Sequence, residues 1–389
     1  MSLRKLLLMF LKIGATSFGG YMALVAHVQD NVVEKRKWLS REDFLDGVTL
    51  AQMLPGATGI NVVTYVGQKL RGTAGGIVSV LAVVAPSFLL MVILSELYLR
   101  YRYLPQIEVF LAGVNPAVIA LLLVVAVRLG RQSVKSLRDT TIALAGLLLT
   151  AYFKGNFVLV ILVIGLLGML VYRSDKDILP AAGGEKDAGG NPGKLMSVLP
   201  LTALPMTVVF VFSPEALVQL FMLFFKIGGL IFGGGYVMIP FIQKEVVDIH
   251  QLVTRREFVD ALAIGQATPG PIVITAVFIG YKVAGLTGAL AAATGIFMPS
   301  AVMVLALGRY LPVLKRFVLV RAFLKGMQAA IVGLLIYVAY SLGETVITDI
   351  LGFTLLVTGF LLMLWNRVDN VFVILGSGLT GLLVQILAG

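Results

Sequence analysis

Apolar residues run through this chain in long stretches separated by short charged connections. They fall near 6–29, 44–68, 73–99, 107–128, 139–153 and 156–172, then at 197–213, then near 216–240, 257–281, 287–308, 317–343, 350–365 and 371–388. A bilayer-spanning helix needs about 20 mostly apolar residues. The pattern therefore predicts an all-α integral membrane protein with about 13 transmembrane helices. Several stretches are short for a span, so broken or re-entrant helices are expected among them.

The pattern is written twice. Lys12-Ile13-Gly14 followed by Phe18-Gly19-Gly20-Tyr21 returns as Lys226-Ile227-Gly228 followed by Phe232-Gly233-Gly234-Gly235-Tyr236, 214 residues later with one inserted Gly. Ser40-Arg41, Phe44 and Asp46 match Thr254-Arg255, Phe258 and Asp260. Gln52-Met53-Leu54-Pro55-Gly56 matches Gln266-Ala267-Thr268-Pro269-Gly270, and Gly67, Gly72, Pro86 and Gly113 match Gly280, Gly285, Pro299 and Gly326. Matches in one order define an internal repeat. The organisation expected is a first repeat over 1–172, a Gly-, Pro- and charge-rich aqueous linker over 173–196, an extra helix over 197–213 and a second repeat over 214–389.

Composition agrees with a membrane class: 59% of residues are hydrophobic and 13% charged, with mean hydropathy +0.97, against about 25% charged in soluble domains. The net charge of +11 sits mainly in the connections, so it reads as topology and not as a nucleic-acid surface. Arg128, Arg131, Lys135 and Arg138 follow the fourth helix, and the linker carries Arg173, Lys176, Lys186 and Lys194; both are expected to be cytoplasmic. In the second half the basic cluster of Arg309, Lys315, Arg316, Arg321 and Lys325 precedes the fourth helix. Equivalent helices are thus expected to run in opposite directions, giving two inverted halves around a midplane site. One connection dissents: Lys35, Arg36, Lys37 and Arg41 would be periplasmic if helices 1 and 2 both crossed. Re-entry of those helices would remove the conflict. Arg4-Lys5 before an apolar run resembles a signal peptide, but Lys12 interrupts the run and its pattern recurs in mid-chain, so it is expected to be the first helix.

Candidate chemistry lies inside the apolar stretches. Gly19 and Gly20, with Gly233, Gly234 and Gly235, cost about 1 kcal/mol each in a helix; they either allow close helix packing or break the helix so that its amides line an anion site. Pro55-Gly56 and Pro269-Gly270-Pro271 interrupt the second stretch of each half, and Gln52 and Gln266 precede them. Ser40 and Thr254 look like helix N-caps. Asp46 and Asp260 then either serve the helix dipole or couple transport to protons. Lys12 and Lys226 each lie about 12 Å from the glycines at helical rise and either face a substrate or snorkel to the interface. Cysteine is absent and there are only two histidines, His27 and His250, which excludes thiolate and histidine metal centres. No phosphate-binding loop, His-Glu-x-x-His or Gly-x-Ser-x-Gly pattern occurs, so an enzyme is not expected and no cofactor is implied.

The paired Phe-Gly-Gly-(Gly)-Tyr and Gln-x-x-Pro-Gly motifs resemble those of the chromate ion transporter family of bacterial membrane efflux proteins, over essentially the whole chain. The resemblance implies a long-chain, two-domain, multi-pass protein of the bacterial cytoplasmic membrane that exports chromate and confers resistance to it, with sulfate as the chemical mimic. Substrate-binding residues are then expected among Lys12, Gly19, Gly20, Gln52, Pro55, Gly56, Lys226, Gly233, Gly234, Gly235, Gln266, Pro269 and Gly270, with Asp46 and Asp260 as candidate coupling groups. Chromate, sulfate, membrane lipid and a second copy of the chain are the partners considered. Transport of another anion, a non-transporting membrane subunit and an intramembrane enzyme are the alternatives. The first copy lacks the third Gly and has Ala57 where the second has Pro271, so unequal half-sites are expected.

Overall fold

The computed structural model describes residues 2–153, 156–172, 214–230, 235–308, 318–365 and 368–388, and these are helical with short connections. The expected linker over 173–196 and extra helix over 197–213 lie outside the described residues. The first half contains α1 (Leu3–Thr16), α2 (Gly20–Gln29), α3 (Arg41–Met53), α4 (Thr58–Tyr101), α5 (Pro105–Ser133), α6 (Leu137–Tyr152) and α7 (Phe157–Tyr172). The second contains α8 (Pro214–Leu230), α9 (Met238–Gln243), α10 (Arg255–Ala267), α11 (Thr275–Leu307), α12 (Val318–Val346), α13 (Ile350–Trp365) and α14 (Asn370–Ala388). Five described helical segments are long and apolar enough to cross a membrane.

The first two apolar stretches of the first half are not single rods. The stretch at 6–29 breaks between Thr16 and Gly20, where Gly19 and Gly20 take φ of +99° and +78°, a region that side chains with a Cβ avoid. The chain turns back there, so that Ser17 Oγ lies 3.0 Å from His27 Nδ1. The stretch at 44–68 becomes a hairpin: Lys69 Nζ pairs with Asp43 at 3.0 Å, and Asn61 Nδ2 donates to the Ala51 carbonyl at 3.2 Å. Residues 51 and 61 would be about 15 Å apart on a continuous helix. The turn is at Pro55-Gly56, with Gly56 at φ +109°. In the second half, α10 and the start of α11 repeat this hairpin: Glu257 pairs with Lys282 at its base, and Gly270 at φ +102° forms its tip. Each leg spans 13 residues in α3 and α10, about 20 Å at 1.5 Å per residue, well short of a hydrocarbon core of about 30 Å. Each stretch therefore forms a hairpin whose two ends lie on one side of its tip.

A second sharp turn follows each hairpin. Arg71 and Gly72 leave helical geometry inside α4, as do Ala284 and Gly285 inside α11. The chain folds so tightly that Gly67 meets the backbone of Gly75, and Gly280 that of Gly288. The 44-residue α4 is therefore two legs, and of these only the one after Gly72 is long enough for a bilayer core of about 30 Å.

The helices form two bundles. In one, α1 packs on α4 with Gly14 against the Val83 carbonyl, α8 packs on α11 with Gly228 against the Ile296 carbonyl, and α4 packs on α11. In the other, the halves exchange partners: α5 packs on α13 and α14 of the second half, and α12 on α6 and α7 of the first. Gly113 accordingly meets Gly381, and Gly326 meets Gly168. Between α5 and α12, Ile119 lies beside Gly343 and Val332 beside Gly130, so these equivalent helices run antiparallel. Leu81, Leu89, Leu97, Leu148, Leu166, Leu361, Phe372 and Leu383 are exposed around the outside, an apolar surface suited to lipid and not to water.

Candidate functional site

The two hairpin tips meet the long helices of the opposite half near the centre. The Ala57 amide donates to Ser300 Oγ on α11 at 2.9 Å, and a Cβ on Gly56 would overlap that same hydroxyl. On the other side the Gly270 amide donates to the Ser17 carbonyl at 2.7 Å, and a Cβ on Gly270 would lie 2.7 Å from Ser87 Oγ on α4. Ser87 and Ser300 follow Pro86 and Pro299, so each tip docks on the same Pro-Ser step of the other half. Proline removes a backbone donor within the helix and opens its ladder locally. Asn61 Nδ2 holds the first tip closed through the carbonyls of Ala51, Leu54 and Pro55. Thr275, on the matching leg of the second hairpin, donates to the Ile272 carbonyl at 2.9 Å.

Between the tips and the exchanged bundle lies a cavity of about 190 Å³ lined by Tyr21, Gln52, Thr58, Leu129, Gln132, Ser133, Val237, Gln328 and Ile331. At about 30 Å³ per liquid water, this has room for a small oxyanion with a few waters. Tyr21 and Thr58 stand at the starts of α2 and α4, and neither helix has a side-chain cap on its N-terminus. First-turn amides of a helix lack intrahelical acceptors, and the helix dipole places partial positive charge there. The Thr58 hydroxyl, in a residue 2% exposed, has no hydrogen-bond partner among the described residues. Among the described residues, no Asp or Glu lines the cavity. Arg128, next to Leu129, donates to the Met363 carbonyl at 2.6 Å. The described lining offers hydroxyl and side-chain amide donors to an anion beside two helix N-termini, with no described carboxylate to repel it. A larger recess of about 360 Å³, lined by Val247, Gln251, Val253, Thr254 and Lys282, lies at the base of the second hairpin. Its one cation is already bound to Glu257.

The sequence-derived residues divide accordingly. Gln52 lines the cavity, Pro55 and Gly56 shape the first tip, and Gly19 and Gly20 form the break from which α2 starts. Gly20 faces the ring of Tyr236, whose hydroxyl approaches Gln266 Oε1 at 3.5 Å. Pro269 and Gly270 form the second tip and Gly235 is buried in a short 3-10 turn, whereas Gly233 and Gly234 lie outside the described residues. The lysines are elsewhere. Lys226 pairs with Glu245 at 2.6 Å, and Lys12 is exposed on α1. Neither lines the cavity, because each sits about 12 Å back along its helix from the break. Asp46 is half-buried on α3, while Asp260 is 2% exposed and accepts hydrogen bonds from Tyr98 and Asn115. Sequence reasoning missed Thr58, Ser87, Ser300 and Gln328. The signal for the serines was present, since each follows an already aligned proline. Gln328 aligns with Asn115 at the spacing that pairs Gly326 with Gly113.

The sequence profile of the chromate transporter family matches residues 4–169 and again 218–382. The chain is 30% identical over 387 residues to the chromate transport protein of Cupriavidus metallidurans, covering 98% of this chain and 93% of that one. It is 31% identical over 351 residues to the probable chromate transport protein of Synechococcus elongatus, with 90% and 86% covered. It is also 31% identical over 381 residues to an uncharacterized transporter of Methanocaldococcus jannaschii, with 96% and 92% covered. No solved structure matches it. A doubled profile match across a helical chain with membrane-length apolar helices leads to one conclusion: this chain belongs to the chromate transporter family.

Proposed function

We propose that the protein is a secondary transporter that exports chromate, a tetrahedral dianion, from the cytoplasm and so confers chromate resistance. The observation that carries this reading is the central cavity, where the starts of two helices without side-chain caps meet Gln52, Gln132, Ser133 and Gln328, with no carboxylate among the described lining residues. Antiparallel packing of the equivalent helices α5 and α12 supports inverted halves, and inverted repeats around a central site suit alternating access. The cavity lies between the bundle of hairpin tips and the exchanged bundle, so movement of one against the other would open it to either face. Energetics favour export: a dianion leaving an inside-negative cell gains about 4.6 kcal/mol per 100 mV, from ~2.3 per charge. That corresponds to more than about a thousandfold concentration ratio at ~1.36 kcal/mol per decade.

Sulfate is the second reading, because neutral donors and helix termini recognise a tetrahedral dianion by shape and charge. Radiolabelled chromate flux into proteoliposomes, with sulfate and nitrate as competitors, tests both. Competition by sulfate and not by nitrate is expected, and equal competition by nitrate counts against the site. Gln328→Leu, which keeps approximate size but removes an exposed lining amide, should weaken apparent affinity about tenfold to hundredfold, matching roughly 1.5–3 kcal/mol for a hydrogen bond to a charged group. Lys226→Gln should leave affinity unchanged. The reverse ranking would move the site from the cavity to the lysines.

A further inference from the structure

Among the described residues, Asp139 and Asp260 are almost sealed yet have no ion-pair partner, at 3% and 2% exposure. Asp139 is accounted for locally: it closes the capping box of α6 and accepts from the amides of Lys135 and Ser136. Asp260 has no such local role. The N-cap of its helix is Thr254, whose box partner is Glu257, and Asp260 lies further along α10 with its carboxylate directed at the first half of the chain. Oδ2 accepts from the Tyr98 hydroxyl of α4 at 2.7 Å, and Oδ1 accepts from Asn115 Nδ2 of α5 at 2.8 Å. Both donors are neutral. A buried carboxylate without a cation carries a large desolvation cost, so this position needs a reason other than stability.

The surroundings suit both protonation states. In its charged form the carboxylate accepts two hydrogen bonds. Asn115 Oδ1 is meanwhile buried without a partner, although Asn115 is itself only 1% exposed. Turning the Asn115 amide over would aim that oxygen at Asp260, where a protonated carboxyl could donate to it. The titratable groups facing this position are otherwise engaged. Arg102 of α4 and Lys282 of α11 both pair with Glu257, and Arg256 pairs with Glu108 of α5. The end of α12 nearest α10, marked by the bond from Arg255 to the Ser341 carbonyl, carries Tyr340 and Glu344. In α14 there is no titratable side chain.

The two halves hold this position differently. Asp46, the counterpart of Asp260, is half-buried, and Gln328, the counterpart of Asn115, is exposed and lines the central cavity. Asn115 belongs to the exchanged bundle and Asp260 to the bundle of hairpin tips. Their hydrogen bond therefore spans the boundary across which the bundles must move if the proposed alternation is right.

We propose that Asp260 is the proton-carrying residue that couples oxyanion export to proton entry. When the bundles separate at Asn115 toward the outer face, Asp260 takes a proton from a hydronium ion there; one O–H bond of that ion breaks as another forms on the carboxylate, and water is left. The neutral carboxyl can then move through the low-dielectric interior with its bundle. The O–H bond breaks, and the proton passes to water on the other face, before Tyr98 and Asn115 hold the carboxylate again. This step rests on the transport reading above.

The test uses purified full-length protein in proteoliposomes. Asp260→Asn should keep chromate–chromate exchange, which needs no net proton movement, while losing the acceleration of net flux by an imposed pH gradient. Tyr98→Phe removes a donor to the charged form, which favours the protonated form, so the midpoint of the pH profile should rise by about one unit. Gradient-driven flux by Asp260→Asn equal to that of the unaltered protein would overturn the proposal, as would loss of exchange together with net flux in a correctly folded variant. A pH profile unmoved by Tyr98→Phe would also overturn it. If the unaltered protein moves no chromate, the transport reading fails. Infrared difference spectra between acid and alkaline buffer then decide the proton site alone: a protonated-carboxyl band absent from Asp260→Asn supports it, and an unchanged band rejects it.

Discussion

Two kinds of positive-φ glycine occur in this chain, and they have different consequences. Gly72 and Gly285 have φ of +63° and +57°, and a methyl group added to either would meet nothing within 4 Å, so backbone conformation alone requires glycine there. Gly270 combines φ +102° with Ser87 Oγ only 2.7 Å from where a Cβ would lie. Gly72→Ala should therefore cost about 1–3 kcal/mol, because its φ of +63° with ψ of −159° is a backbone region essentially limited to glycine, and retain transport. Gly270→Ala should abolish transport, because the tip can no longer seat on the Pro-Ser step. Adding Ser87→Ala should recover part of the folding stability but leave the backbone strain. Thermal unfolding in detergent and chromate flux at matched expression check the ranking, and equal flux in the two single variants would contradict it.

At the scale of elements, each hairpin is clasped at its base by an ion pair, but in different surroundings. Asp43 and Lys69 have side chains 39% and 48% exposed, whereas Glu257 is 11% exposed and pairs with both Arg102 and Lys282. An exposed pair contributes roughly 0.2–1 kcal/mol; deleting one member of a buried pair costs about 3–5 kcal/mol because the remaining charge is stranded. Asp43→Asn should therefore shift unfolding little, and Glu257→Gln should destabilise strongly by leaving two cations together. Matching losses of thermal stability in the two variants would show that the hairpin bases are equally solvated.

For the whole molecule, hairpins that re-enter would change the expected orientation of the connections. If residues 3–35 and 41–70 each return to the face they entered, Lys37 lies on the same side as Ser136, and the basic connection that dissented from the positive-inside rule becomes cytoplasmic. Tyr103, one crossing away, lies on the opposite side with Gln251. The chain has no native cysteine, so single cysteines can be read cleanly. Lys37→Cys and Ser136→Cys should label from the cytoplasmic face of inverted vesicles, and Tyr103→Cys and Gln251→Cys from outside intact cells. Labelling of positions 37 and 136 from opposite faces would rule out the hairpins as re-entrant.

Much of this was legible from the order of residues alone. Membrane class follows from apolar runs, because lipid tolerates few charges wherever the runs are placed. The repeat follows from matched glycines and prolines, since backbone demands recur wherever a half-fold recurs. The breaks at Gly19-Gly20, Pro55-Gly56 and Pro269-Gly270 were visible for the same reason. Whether a break kinks a helix or reverses it was not legible, because proline and glycine permit either. Distant contacts decided it: Lys69 on Asp43, Lys282 on Glu257, and the tips on Ser300 and Ser87. The partners of charged groups were equally hidden. Lys226 reads as an intramembrane cation looking for an anion until Glu245, 19 residues away, is folded onto it. The exchange of α5 and α12 between halves, which places Gln328 at the cavity and Asn115 on Asp260, leaves no local trace. Hydropathy sets which segments enter the membrane; only packing between segments far apart in the chain sets which polar groups meet inside it.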